Sequence, residues 1–100
     1  MEENVKKELD TIKQMVSRWQ KSYLGWATGD GGNEYLLEEF SEELSTYVSP
    51  MVRRFLENNY LSPSEHHEFL ESCYSQVTEL RDLIKKKEAE AKQPKKGIWA

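Results

Sequence analysis

The stretch VKKELDTIKQMVSRWQKSYLGW, residues 5–26, places Val5, Leu9, Ile12, Val16, Trp19, Tyr23 and Trp26 at alternating intervals of four and three. That spacing is the seam of an amphipathic helix, since a strand would alternate every second residue. The first helix is therefore expected over residues 2–26. Gly25 and the run Thr28-Gly29-Asp30-Gly31-Gly32-Asn33 should end it, and Asn33 is the expected cap of the next helix.

Working outward, a second stripe runs through Leu37, Phe40, Leu44, Val48, Met51 and Phe55, crossing Ser49-Pro50 almost in phase. Proline removes one backbone donor and disfavours helical angles at the residue before it. Either the rod over 34–60 is kinked at Pro50, which the continuous stripe favours, or Ser49 caps a separate helix. Further on, Ser62-Pro63-Ser64-Glu65 spells a capping box with proline at the first helical position. It opens a helix over 63–91 whose seam is Leu70, Cys73, Val77, Leu80 and Ile84, flanked by Phe69, Tyr74 and Leu83, with Gln93-Pro94 as terminator.

Three rods of this kind would each span roughly 37 to 44 Å at about 1.5 Å per residue. Matched rods with short links predict an all-α, antiparallel three-helix bundle with the middle helix kinked or broken at Pro50. A complete break gives a four-helix bundle. Val16, Phe40, Leu70 and Val77 are expected in the core. The domain reading is a helical bundle over 1–92 and a C-terminal tail over 93–100.

Composition narrows the function classes. The chain has 100 residues, 37% hydrophobic and 32% charged, with a net charge of −4. Residues 1–48 carry five basic and ten acidic side chains, while residues 83–100 carry six Lys against two Glu. This acidic balance disfavours a dedicated nucleic-acid binder, whose affinity comes from clustered Lys and Arg. Lys85, Lys86, Lys87, Lys92, Lys95 and Lys96 leave weak binding to nucleic acid or an anionic surface as an alternative. The single Cys73 cannot form an intramolecular disulfide, and the opening Met-Glu-Glu-Asn lacks the basic and apolar regions of a signal peptide. The expected setting is cytoplasmic, and no run of residues is apolar enough to cross a membrane.

Glu65-His66-His67-Glu68, followed by Glu71 and Cys73, contains metal-ligand residue types, and His67 and Glu71 share a helical face at i, i+4. No partner motif for a carboxylate di-metal bundle accompanies them, so they are read as a solvated first turn, with His67 and Glu71 the only metal candidates. His66 is expected to staple against Leu61 and Cys73 to lie in the seam. Glu34, Glu38, Glu39, Glu42 and Glu43 form an acidic face that suits a solvated or partner-facing surface. The glycine-rich loop lacks a P-loop pattern and a preceding strand, and its oxygen ligands fall short of a calcium loop. Trp19, Tyr23 and Trp26 are assigned to the core.

No nucleophile, base and acid arrangement is visible, so neither enzyme activity nor a cofactor is expected. The chain reads as a non-enzymatic helical protein–protein interaction module, an adaptor, regulator or subunit. The rival reading is a metal-binding helical protein using residues 65–73. The expected partner is a protein, with a homodimer among the options because a chain this short gains core by pairing. Ile98 and Trp99 in the tail and Glu38 and Glu42 on the second rod are the candidate partner contacts.

Overall fold

The computed structural model describes residues 2–92. Helix α1 covers Glu3–Trp26, α2 covers Glu34–Glu43, a π-helical segment covers Leu44–Val48, α3 covers Ser49–Glu57 and α4 covers Pro63–Lys92. Since α2, the π segment and α3 follow one another without a gap, the architecture is three helical rods, all-α. At about 1.5 Å per residue the first two rods reach about 36 Å and α4 about 45 Å. The rods run up, down and up. Tyr23 meets Phe40 and Trp19 meets Tyr47, which makes the second rod antiparallel to α1. The Gln20 side-chain amide donates to the Gln76 carbonyl (3.0 Å) and Lys87 donates to the Leu24 carbonyl (3.1 Å), so α4 runs in the direction of α1.

The core collects Val5, Leu9, Ile12, Val16 and Tyr23 from α1, Leu36, Phe40, Leu44, Val48 and Val52 from the second rod, and Phe69, Cys73, Leu80 and Ile84 from α4. Each fully buried side chain of this size contributes about 1.5–3 kcal/mol relative to exposure.

The second rod departs from the expected stripe. Leu36 and Val52 are buried, whereas Leu37, Met51 and Phe55 are only half-buried. The buried residues recur every four positions from 36 to 52, a spacing that α winding at about 100° per residue would carry about 160° around the rod. The π segment winds more slowly and returns Val48 and Val52 to the core side. Its position follows from Pro50. A proline in a helix lacks the N–H and collides with the carbonyl four residues back, here Thr46. The bonding therefore shifts just before it, and the Ser49 N–H reaches back five residues to the Leu44 carbonyl. Ser49 has helical angles (φ −55°, ψ −45°), so it caps nothing, and the irregularity is a widened turn at 44–48 in a continuous rod.

The rod ends at Glu57, three residues earlier than expected. Asn59 takes a left-handed conformation (φ 62°), the Tyr60 N–H bonds to the Phe55 carbonyl (2.8 Å) and the Asn59 N–H to that of Leu56 (3.1 Å). This is a Schellman termination with Asn in the place glycine usually takes. The capping box opening α4 is present in both directions. The Ser62 N–H donates to the Glu65 carboxylate (2.9 Å), and the Glu65 N–H donates to the Ser62 hydroxyl (3.1 Å). The first of these bonds holds the Glu65 carboxyl below its usual pKa.

Two further expectations need correction. Leu70 and Val77 are half-buried, and Phe69 takes the inward position, with the Lys13 ammonium 5.6 Å above its ring. Asn33 stands at the N-cap position of α2 but makes no capping bond. Its side chain accepts from the Thr28 N–H (3.0 Å) and donates to the Thr28 carbonyl (2.8 Å) and the Glu88 carboxylate (2.7 Å). The loop is thereby closed on itself and tied to α4. Gly29 lies so close to Ala91 that a Cβ there would overlap the alanine methyl.

Candidate functional site

Helix α1 has two flanks. Gln20 and Leu24 bond to α4, which fixes one flank against that helix. Glu8, Met15, Trp19 and Trp26 fall within about 40° of one another on the other flank, at about 100° per residue. That flank borders the second rod, and the seam between them is open to solvent. At one end it widens into a groove of about 550 Å³ between α1 and α3, with Ile12, Met51, Phe55 and Tyr60 as its apolar lining and Lys7, Glu8, Thr11, Arg54 and Asn58 around it.

Aromatic side chains mark the rest of the seam. Trp19 and Tyr47 meet edge to face with ring centroids 6.5 Å apart, and Tyr47 is 59% exposed. Trp26 stands edge-on to Tyr23 at 5.4 Å and is 60% exposed. The core assignment thus holds for Tyr23, is partial for Trp19 and fails for Trp26. Helix α1 ends at Trp26, and the following loop turns toward α4, which leaves the indole without a covering neighbour. Tyr35 and Tyr60 are also large and exposed. Such rings on a surface are unusual when they gather on one side, because aromatic area is what binding hot spots use.

Charge along the seam is unequal. Near Trp26 stand Glu43, which accepts the Tyr23 hydroxyl, and Glu39. Burial, that bond and the two carboxylate charges all push the Tyr23 phenol above its ordinary pKa. At the groove end Lys7 and Arg54 outnumber Glu8.

The other candidates offer less. His67 Nε2 lies 3.2 Å from the Glu71 carboxylate, with the side chains 78% and 72% exposed, and among the described residues no third His, Cys, Asp or Glu joins them to hold a metal ion. His66 is half-buried with its Nε2 unpartnered, and Leu61 beside the cap is buried. Cys73 is buried, and burial pushes its thiol pKa up, away from nucleophilic use. Glu38 and Glu42 are exposed, Glu38 on the α4 side and Glu42 on the outer face of α2. Of the lysines, Lys85 and Lys86 are exposed and Lys87 is spent on the Leu24 carbonyl. The Lys92 side chain, Lys95, Lys96, the Gln93-Pro94 terminator, Ile98 and Trp99 lie outside the described residues. No described helix is long and apolar enough to cross a membrane.

Sequence reasoning missed the groove because its lining was assigned to the core. The signal was present in the spacing of Trp19 and Trp26, seven apart on a flank that Gln20 does not share. Comparison of the chain with protein-family models, curated proteins and solved structures gives no match.

Proposed function

We propose that the chain is a non-enzymatic helical interaction module of the cytoplasm that holds a protein partner along the seam between α1 and the second rod. The observation that carries this reading is the juxtaposition of an open apolar groove with Trp26 and Tyr47 on the same side of the bundle. An apolar seam between two helices, rimmed by charge, accepts the apolar face of a third helix. The aromatic rings supply anchors and the rim charges set orientation.

The test is a selection of random amphipathic peptides on the intact chain, repeated on Thr11→Arg, which sets a charged side chain in the groove. Thr11 is exposed, so this variant keeps its fold. Peptides that bind the wild-type chain and lose at least tenfold in affinity for the variant support the reading. Equal binding to both, or no enrichment on either by a chain that is monomeric in solution, removes it.

A further inference from the structure

We infer that the occupant of this seam is a second copy of the same chain, docked antiparallel about a two-fold axis through the Trp19–Tyr47 pair. The inference rests on the reading of the seam as an interface and adds the identity and orientation of what fills it.

Two pairs of residues in the seam are arranged symmetrically about the Trp19–Tyr47 contact. On α1, Ile12 precedes Trp19 by seven residues and Trp26 follows it by seven, which is about 10.5 Å in each direction. On the second rod, Glu39 precedes Tyr47 by eight residues and Arg54 follows it by seven. The exposed knob, Trp26, therefore lies as far from the centre as the hollow lined by Ile12, Met51 and Phe55 does on the opposite side. A two-fold rotation exchanges the two ends. It sets Trp26 of each copy over the groove of the other, twice, as an isologous interface requires.

Charge follows the same symmetry. The Trp26 end carries Glu39 and Glu43, and the groove end carries an excess of basic charge from Lys7 and Arg54 over Glu8. Antiparallel docking puts Glu39 of one copy against Arg54 of the other at both ends. Parallel docking would set like charge on like. Burying a tryptophan removes about 200 Å² from water, and this interface does so at two places. The central Trp19 and Tyr47 rings meet their own copies, which suits residues that prefer offset or edge contacts.

The experiment is charge-swap complementation followed by sedimentation. Wild-type chain is expected to form dimers, Trp26→Ala to raise the dimer Kd at least tenfold, and Glu39→Lys and Arg54→Glu each to be monomeric. Glu39, Arg54 and Trp26 are exposed, so unchanged helix content by circular dichroism is expected for all three. Mixing Glu39→Lys with Arg54→Glu is expected to restore a heterodimer, because each end then again meets the opposite charge. Two outcomes overturn the inference. One is a mixture that stays monomeric while the wild-type chain dimerises. The other is a wild-type chain that keeps the 11.8 kDa mass of one copy at about 100 µM, where any tighter self-association would show. A monomeric wild-type chain that still selects groove-dependent peptides removes the second copy and leaves the interaction module standing.

Discussion

The side-chain amide of Asn33 donates to the carboxylate of Glu88 at 2.7 Å, joining the first loop to a helix 55 residues further along the chain. The same amide group holds both backbone groups of Thr28. Asn33 is buried and satisfies three partners, so Asn33→Ala leaves the Thr28 N–H without an acceptor. A stability loss of about 2 kcal/mol is expected by chemical denaturation, with amide exchange accelerated over residues 27–33. Glu88→Ala breaks one of the bonds and should cost less. A loss under about 0.5 kcal/mol for Asn33→Ala, the scale of an ordinary surface change, would mean the loop holds itself by other means.

Phe69 and Leu70 separate two versions of the α4 register. Phe69 faces inward and Leu70 is half-buried. Phe69→Ala is expected to cost about 3–5 kcal/mol and Leu70→Ala less than about 2 kcal/mol. The reverse order in urea denaturation would return α4 to a seam centred on Leu70.

The Tyr23 hydroxyl gives the bundle a pH dependence on the alkaline side. Its pKa is raised by burial first and by the Glu43 carboxylate next, so the folded state favours the protonated phenol. The stabilisation is fully present below the unfolded value of about 10 and is lost as pH rises toward the higher native one. Tyr23→Phe is expected to cost about 1–2 kcal/mol at neutral pH through the lost hydrogen bond. Between about pH 10 and pH 12 the gap between wild type and variant should narrow, and a constant gap in denaturation melts would show that Tyr23 does not titrate with unfolding.

At the start of α4, Ser62→Ala removes the acceptor of the Glu65 N–H and should cost about 1 kcal/mol. The low pKa of Glu65 adds a second check. Its contribution is present above the unfolded carboxylate value of about 4.3 and lost as pH falls through the lower native one. In Ser62→Ala the backbone N–H at position 62 still reaches Glu65, so the acid dependence should persist, whereas Glu65→Gln should abolish it. Identical acid profiles for wild type and Glu65→Gln would show that the box does not act as a pair.

The rods and the capping box of α4 were legible in the sequence because each rests on local chemistry. The 4-3 spacing from Val5 to Trp26 needs only α geometry, and Ser62 and Glu65 need only each other. What was not legible depends on how the helices are wound and how the loop closes between them. Asn33 has the chemistry of a cap, but the Thr28 N–H takes its Oδ1, and Glu88 on another helix accepts from its Nδ2 and holds the amide in that orientation. Leu37, Met51 and Phe55 satisfy a uniform α stripe, and the widened turn demanded by Pro50 replaces them with Leu36 and Val52. Trp26 continues the 4-3 spacing of α1, but in a straight α-helix that repeat drifts about 20° per heptad, so by Trp26 the stripe has left the core side for the flank. The candidate site was hidden for the same reason, since each of its apolar residues is a plausible core residue when read one helix at a time.

The π segment has a consequence for how this protein can change its length. A single deletion inside an ordinary helix turns every later side chain by about 100° and scrambles the packing beyond it. Between Leu44 and Val48 the second rod already holds one residue more than straight winding needs, so removing Thr46 would shorten the buried spacing there from four to three and leave both flanks facing as they do now. With Pro50→Ala to relieve the steric demand, that deletion should be tolerated. The widened turn is a place where the rod can lose a residue and keep its faces.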